Sequence, residues 1–173
     1  LAQSAYSSSD QAVACKEWTQ AQKLLNRVIA VGDQGRYYIH ALSQLGTVLS
    51  QQGQPGQAAE AYGQLVEAAK DDNLNASIAS FNRGLCLQKD AGQDEAKLLA
   101  AAKELASAAE RFAIPEGKDI PDAIEQKAAV PAVKSARTAA SIYAGLKQIE
   151  EADKLWQLAY RQVSKLQPAD QGI

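Results

Sequence analysis

The chain contains no methionine, one histidine, two cysteines, two tryptophans and two phenylalanines in 173 residues. Each scarcity closes a class of function. With His40 as the lone imidazole, a multi-histidine metal site is excluded, and any histidine base would have to be that residue, which has no Ser, Cys or carboxylate partner at a recognisable spacing. Cys15 and Cys86 are too few and too far apart to read as a disulfide framework or a metal site. Residues that favour strands are sparse, which argues against a large sheet. No stretch approaches the roughly 20 apolar residues that cross a bilayer. Neither sign of charge is in marked excess: 18 basic and 20 acidic side chains leave a net charge of −2, without the basic stripe of a nucleic-acid binder. No glycine-rich loop follows a strand, so no phosphate cradle is indicated. No metal, cofactor or catalytic residue is expected. The start at Leu1, followed by small and polar residues rather than an initiator methionine, suggests a processed or trimmed chain. A periplasmic or secreted location is therefore expected, with the cytoplasm as the alternative.

What the chain has in abundance is alanine and glutamine, 34 and 19 residues respectively. Together with Leu, Lys and Glu these are strong helix formers, so the 46% hydrophobic fraction is largely alanine on helices. The length suits one domain or one short array of repeats. Charged runs such as Glu67, Lys70 and Asp71, or Lys147, Glu150, Glu151, Asp153 and Lys154, have the spacing of solvated helix faces.

Internal repetition is clearest in the middle of the first half. Leu42, Leu45 and Leu49 recur at helical spacing, residues 51–57 carry two glycines and a proline as a turn, and Ala58, Tyr62, Leu65 and Ala69 resume the stripe. Small Gly46 and Ala58 fall where two helices of such a hairpin must approach closely, with Leu45, Leu49 and Tyr62 filling the space around them. In this pattern the unit closely resembles the tetratricopeptide repeat. Aligned on it, Gly84 and Ala96 repeat the separation of Gly46 and Ala58, with Phe81 and Leu87 on the first helix and Gly92 in the turn. This third unit departs from the pattern at Arg83, where a large apolar residue is expected, and at Ala100, where an aromatic is expected. Trp18, Ala21, Leu25 and Val28 match a second helix at the N-terminus, behind a poor first helix with Tyr6, Ser9 and Ala12. Ala140, Tyr143, Ala152, Trp156 and Ala159 match a last unit.

The resemblance implies an all-α, right-handed α-solenoid of about four hairpins in one domain, with units at 2–35, 39–72, 77–110 and 133–166. Residues 111–132 lie outside the period. There, residues 111–113 extend the preceding helix, Pro115, Gly117 and Pro121 break it, a short extra helix follows over 122–130, and Pro131 opens or kinks the next. Trp18 and Trp156 are expected in the core. One of Tyr37 and Tyr38 is expected to pack inward and the other to be available for contact. Cys15 and Cys86, two steps of the stack apart, are not expected to bond to each other.

An array of this kind curves, so its first helices line a concave groove. The groove positions carried over from the family are Tyr6, Asp10 and Val13; His40, Ser43, Thr47 and Ser50; Ile78, Phe81, Leu85 and Gln88; and Lys134, Arg137 and Ser141. Ile78, Phe81 and Leu85 make an apolar row suited to the apolar face of a peptide or helix. The family's clamp for the carboxylate of chaperone tails is incomplete here, with only Asn82, Lys134 and Arg137 of suitable chemistry, and that ligand is not expected. The resemblance thus implies a non-enzymatic interaction module, assembly factor or accessory subunit that binds another protein. The alternatives are a structural subunit buried through its convex face in a larger complex, or an enzyme or cofactor carrier using His40 or a Cys thiolate.

Overall fold

The computed structural model describes residues 2–31, 36–115 and 123–166. Among the described residues there are eight helices and no strand: α1 (Ala2–Ala14), α2 (Trp18–Ala30), α3 (Arg36–Gln51), α4 (Pro55–Ala68), α5 (Asn73–Ala91), α6 (Glu95–Arg111), α7 (Ala123–Gly145) and α8 (Ile149–Val163). The chain is therefore all-α, as its composition predicts. Every helix packs against the next one along the chain, and α1 also touches α3 while α5 touches α7. The helix starts follow local chemistry. Pro55, which has no N–H to leave orphaned, stands in the first turn of α4. Asp72 and Asp94 accept the backbone N–H groups of Asn75 and Lys97 at the starts of α5 and α6.

Four turns reverse the chain between α1 and α2, α3 and α4, α5 and α6, and α7 and α8, and each contains one residue with positive φ: Lys16 (60°), Gly53 (75°), Gly92 (57°) and Lys147 (60°). Three of these turns are the same turn. In each, the left-handed residue donates its N–H three residues back, to Val13, Ser50 or Ala144. The residue after it donates five back: Glu17 to Ala12 at 2.9 Å, Gln54 to Leu49 at 2.9 Å and Gln148 to Tyr143 at 2.8 Å. This closes the last turn of the helix with the carbonyls that would otherwise be left open. At Lys16 and Lys147 a side chain bears the left-handed strain that glycine avoids. Replacing Lys147 with glycine is therefore expected to stabilise the fold by about 1 kcal/mol, read as a higher urea midpoint at unchanged slope.

The same three hairpins carry a buried small residue on the first helix and another twelve positions later on the second, Ser9 and Ala21, Gly46 and Ala58, Ala140 and Ala152, and the side chain over Gly46 is that of Tyr62. The third hairpin corrects the alignment drawn from the sequence. Gly84 is buried, but Ala96 is exposed. The side chain facing Gly84 is that of Leu105, and fully buried Ala101 occupies the place expected of Ala96. Both arms of this hairpin are longer, so the crossing lies more than one helical turn farther along α6. Its turn at Gly92 differs as well, with Asp94 donating only three residues back, to Ala91.

A second correction concerns α7, which is one helix of 23 residues with Pro131 inside it. The short helix expected over 122–130 is its first part, apart from residue 122, which lies outside the described residues, as do Gly117 and Pro121. Pro131 offers no N–H to the carbonyl of Lys127 and by itself would cost the helix about 3 kcal/mol. Buried Ala128, Ala129, Ala132 and Val133 on either side hold it in place.

Among the described residues, 22 of the 40 buried hydrophobic ones are alanine, so the core is made by helix backbones lying close together rather than by interlocking large side chains. One cluster joins buried residues of α1 to α5 with Phe112 and Ala132, and a second joins those of α6 to α8 with Ile114 and Leu166. Helix α6 ends at Arg111 rather than extending through residue 113 as expected, and residues 112–115 beyond it are tied to α8. The Gln162 side-chain amide accepts the N–H of Ile114 at 2.7 Å and donates to its carbonyl at 3.1 Å, and Lys165 Nζ donates to the carbonyl of Pro115 at 3.0 Å. Gln162 and Ile114 are both buried.

Candidate functional site

Four of the residues expected to line a groove come together. Phe81 on α5, Lys134, Arg137 and Ser141 on α7, joined by Thr138 of α7 and Trp156 of α8, line an open cleft of about 390 Å³. Lys134, Arg137 and Ser141 share one face of α7 because they recur at helical spacing, while Ser135, Ala136, Ala139 and Ala140 turn the other face into the core. The two hydroxyls are committed: Thr138 donates to the carbonyl of Lys134 at 2.9 Å and Ser141 to that of Arg137 at 3.0 Å. They therefore meet a ligand with lone pairs only. Among the described residues no Asp or Glu lines the cleft. The acid one turn before Trp156, Asp153, accepts a hydrogen bond from Gln157 at 2.7 Å.

Trp156 overturns its assignment to the core, because it is 44% exposed. Its equivalents four residues after the matching alanine, Leu25 and Tyr62, are buried, Tyr62 with its ring over Gly46 of α3. No described helix follows α8, and the same register position faces outward. Ile149 and Tyr160, exposed on α8, share this circumstance. The signal was present in the sequence: the buried stripe of α8 is Ala152, Leu155, Ala159 and Gln162, and Trp156 lies one step beside it.

The remaining expected residues are distributed along the molecule. Ile78 and Leu85 flank Phe81 on α5 and are exposed, at 39% and 36%, so the apolar row continues past the cleft in both directions along the helix. Gln88 is half-buried one turn on. At the other end, Tyr6 stacks obliquely on Tyr37 with ring centroids 5.6 Å apart and lies 6.1 Å from the ring of exposed His40. Asp10 accepts a hydrogen bond from Gln44. Val13, Ser43 and Ser50 are half-buried. Thr47 is exposed, with its hydroxyl 3.1 Å from the Tyr62 hydroxyl and donating to the carbonyl of Ser43. Tyr37 and Tyr38 are both half-buried against the core, and so is Trp18, in place of the one-in, one-out pair and the buried tryptophan expected. Arg83, the polar departure in the third unit, is used in an ion pair with Glu104 of α6.

Cys15, just past α1, is exposed, and Cys86 is buried on α5; both are free thiols. Burial pushes the Cys86 thiol up from its ordinary range, only partly offset by a hydrogen bond with Ser50, the opposite of what a thiolate nucleophile requires. Among the described residues no group of three or more His, Cys, Asp or Glu side chains is placed to hold a metal ion, and no helix is long and apolar enough to cross a membrane. Compared with protein-family models and with curated proteins, the sequence finds no match.

Proposed function

We propose that the chain is a non-enzymatic protein-binding module, a short right-handed solenoid of tetratricopeptide-like hairpins that holds a peptide or helix of another protein against its first helices. The observation that carries this reading is the convergence of Phe81, Lys134, Arg137 and Ser141 from two first helices on one open cleft, walled by Trp156. The repeated turn and the repeated twelve-residue spacing of small residues support the solenoid part of the reading, because stacked copies of one hairpin give each other the burial that none achieves alone. The apolar row of exposed Ile78 and Leu85 with half-buried Phe81 between them supports the binding part.

A second reading, an accessory subunit buried through another face, is favoured by exposed Ile149 and Tyr160 on α8. Quantitative affinity capture from the native source separates the two. The wild-type chain, a Phe81→Ala/Leu85→Ala variant and an Ile149→Ala/Tyr160→Ala variant are used as baits. A protein retained by the first and third baits and lost from the second is the expected result. Loss from the third bait alone favours the accessory subunit, and equal, non-saturable recovery on all three overturns both readings.

A further inference from the structure

Independently of the reading above, we infer that the outward face of α8 is an interface between two copies of this chain, packed antiparallel about a two-fold axis at Trp156.

The face is apolar along one line. Ile149, Trp156 and Tyr160, exposed at 63%, 44% and 80%, follow one another at helical spacing on α8, and half-buried Val163 extends the stripe. Together they run about 21 Å along the helix. Their register is that of core positions elsewhere in the molecule. Four and eight residues after the matching alanine stand Leu25 and Ile29 in α2, and Tyr62 and Val66 in α4, all packed into the core. In α8 the same two positions are Trp156 and Tyr160, open to water. Contiguous apolar surface of this kind marks an association site.

A second copy is singled out as the occupant because the face complements itself, which a two-fold interface requires. Trp156 lies midway between Ile149 and Val163 in the sequence. An axis through it sets Ile149 of one copy against Val163 of the other, and the two Trp156 rings against each other. Asp153 and Tyr160, on either side of Trp156, then meet across the interface. There the Tyr160 hydroxyl donates to the Asp153 carboxylate, which accepts from Gln157 in its own chain and has lone pairs to spare.

Charge fixes the direction. The first turn of α8 carries Glu150 and Glu151, and its last turn carries Arg161. Two antiparallel copies bring acidic end to basic end twice, whereas parallel copies set like charges side by side. Arg161 is already engaged within the monomer, and no new bond is asked of it; its sign alone sets the polarity. The stripe is small, so a weak dimer is expected, with a Kd of about 10–100 µM. The apolar row of Ile78, Phe81 and Leu85 lies on α5, outside this stripe, so the capture of a peptide there does not require the dimer.

The test is sedimentation of the full chain from about 1 µM to about 500 µM, a range that brackets this Kd. The wild type is expected to pass from monomer to dimer. An Ile149→Glu/Tyr160→Glu variant, changed at two exposed positions, should remain monomeric with unchanged circular dichroism. Asp153→Lys, which sets a cation against the basic half of the second copy, should weaken the dimer about fivefold or more. Direction is read by cross-linking with a short bismaleimide in a Cys15→Ser background, where the remaining thiol, Cys86, is buried. Gln157→Cys, beside the axis, should link to itself. Ser164→Cys should not, because the two copies of that position stand about 24 Å apart along antiparallel helices.

A monomer at every concentration overturns the inference, as does a dimer that survives the double glutamate variant or is indifferent to Asp153→Lys. Equal cross-linking at residues 157 and 164, the signature of parallel helices, also overturns it, and so does failure of Gln157→Cys to link. None of these results touches the peptide-binding reading, which stands or falls on the capture experiment.

Discussion

Leu105→Ala is expected to lower the stability of the fold by about 3–5 kcal/mol, and Gly84→Ala in the same molecule is expected to give part of that back. Leu105 is fully buried on α6 and lies directly over Gly84 of α5, so that a Cβ built on Gly84 would overlap its Cγ and Cδ2. Alone, Gly84→Ala gains about 1 kcal/mol of helix propensity. It then loses more than this to overpacking, typically about 1–3 kcal/mol and here against a side chain enclosed on every side. With Leu105 shortened, the new methyl enters the space the leucyl group has left. The two changes should therefore be less costly together than the sum of the separate losses by about 2 kcal/mol. Urea unfolding of the wild type, both single variants and the double variant measures the coupling, and additivity within about 0.5 kcal/mol would mean that these two residues do not face each other.

Gln162 gives the second large effect. Its amide is the partner of both backbone polar groups of Ile114 inside the protein. Gln162→Ala leaves a buried N–H and a buried C=O unpaired, at about 1–3 kcal/mol each, reduced where water from the adjoining clefts reaches them. A total loss of about 2–4 kcal/mol is expected. Gln162→Glu refines the test. Its ionised carboxylate accepts from the N–H but has no proton for the carbonyl, whereas its protonated form can do both. Burial and the nearby carbonyl raise the folded-state pKa of this acid above the unfolded value of about 4.3. The native state then binds the extra proton. The glutamate variant should be most stable below about pH 4 and lose stability as the pH rises from there through the folded-state pKa. A variant as stable as the wild type at neutral pH, or one with the wild-type pH profile, would show that residues 112–115 are held some other way.

The alternation of helix and turn was legible in the sequence because alanine-rich runs are interrupted at Gly53, Gly92 and the charged turn around Lys147. The burial of Gly46 and Ala58 was legible because small residues at helical spacing stand out among large neighbours. The same contrast is missing from α6. Ala100, Ala101, Ala102, Ala106, Ala108 and Ala109 lie on several faces of that helix, and a pattern made of one residue type carries no phase, so the shift of the crossing from Ala96 to Ala101 could not be read. At Pro131 the local rule gave the wrong boundary, since the packing of its neighbours outweighs the cost of a missing hydrogen bond. Of the cleft, the α7 face and Phe81 were legible from helical spacing. Trp156 was not recognised, because the register position that is core in Leu25 and Tyr62 was weighed ahead of the stripe of Ala152, Leu155, Ala159 and Gln162, beside which Trp156 lies at the surface.

A core of which more than half is alanine also constrains how this chain can drift. Only glycine is smaller, so almost every single substitution at those sites inserts atoms between backbones already in contact, and few remove any. The molecule is thus intolerant in one direction. Its permissible variation is pushed to the outward helix faces, where Lys134, Arg137, Ser141 and Trp156 lie, leaving its surface far freer to diverge than its architecture.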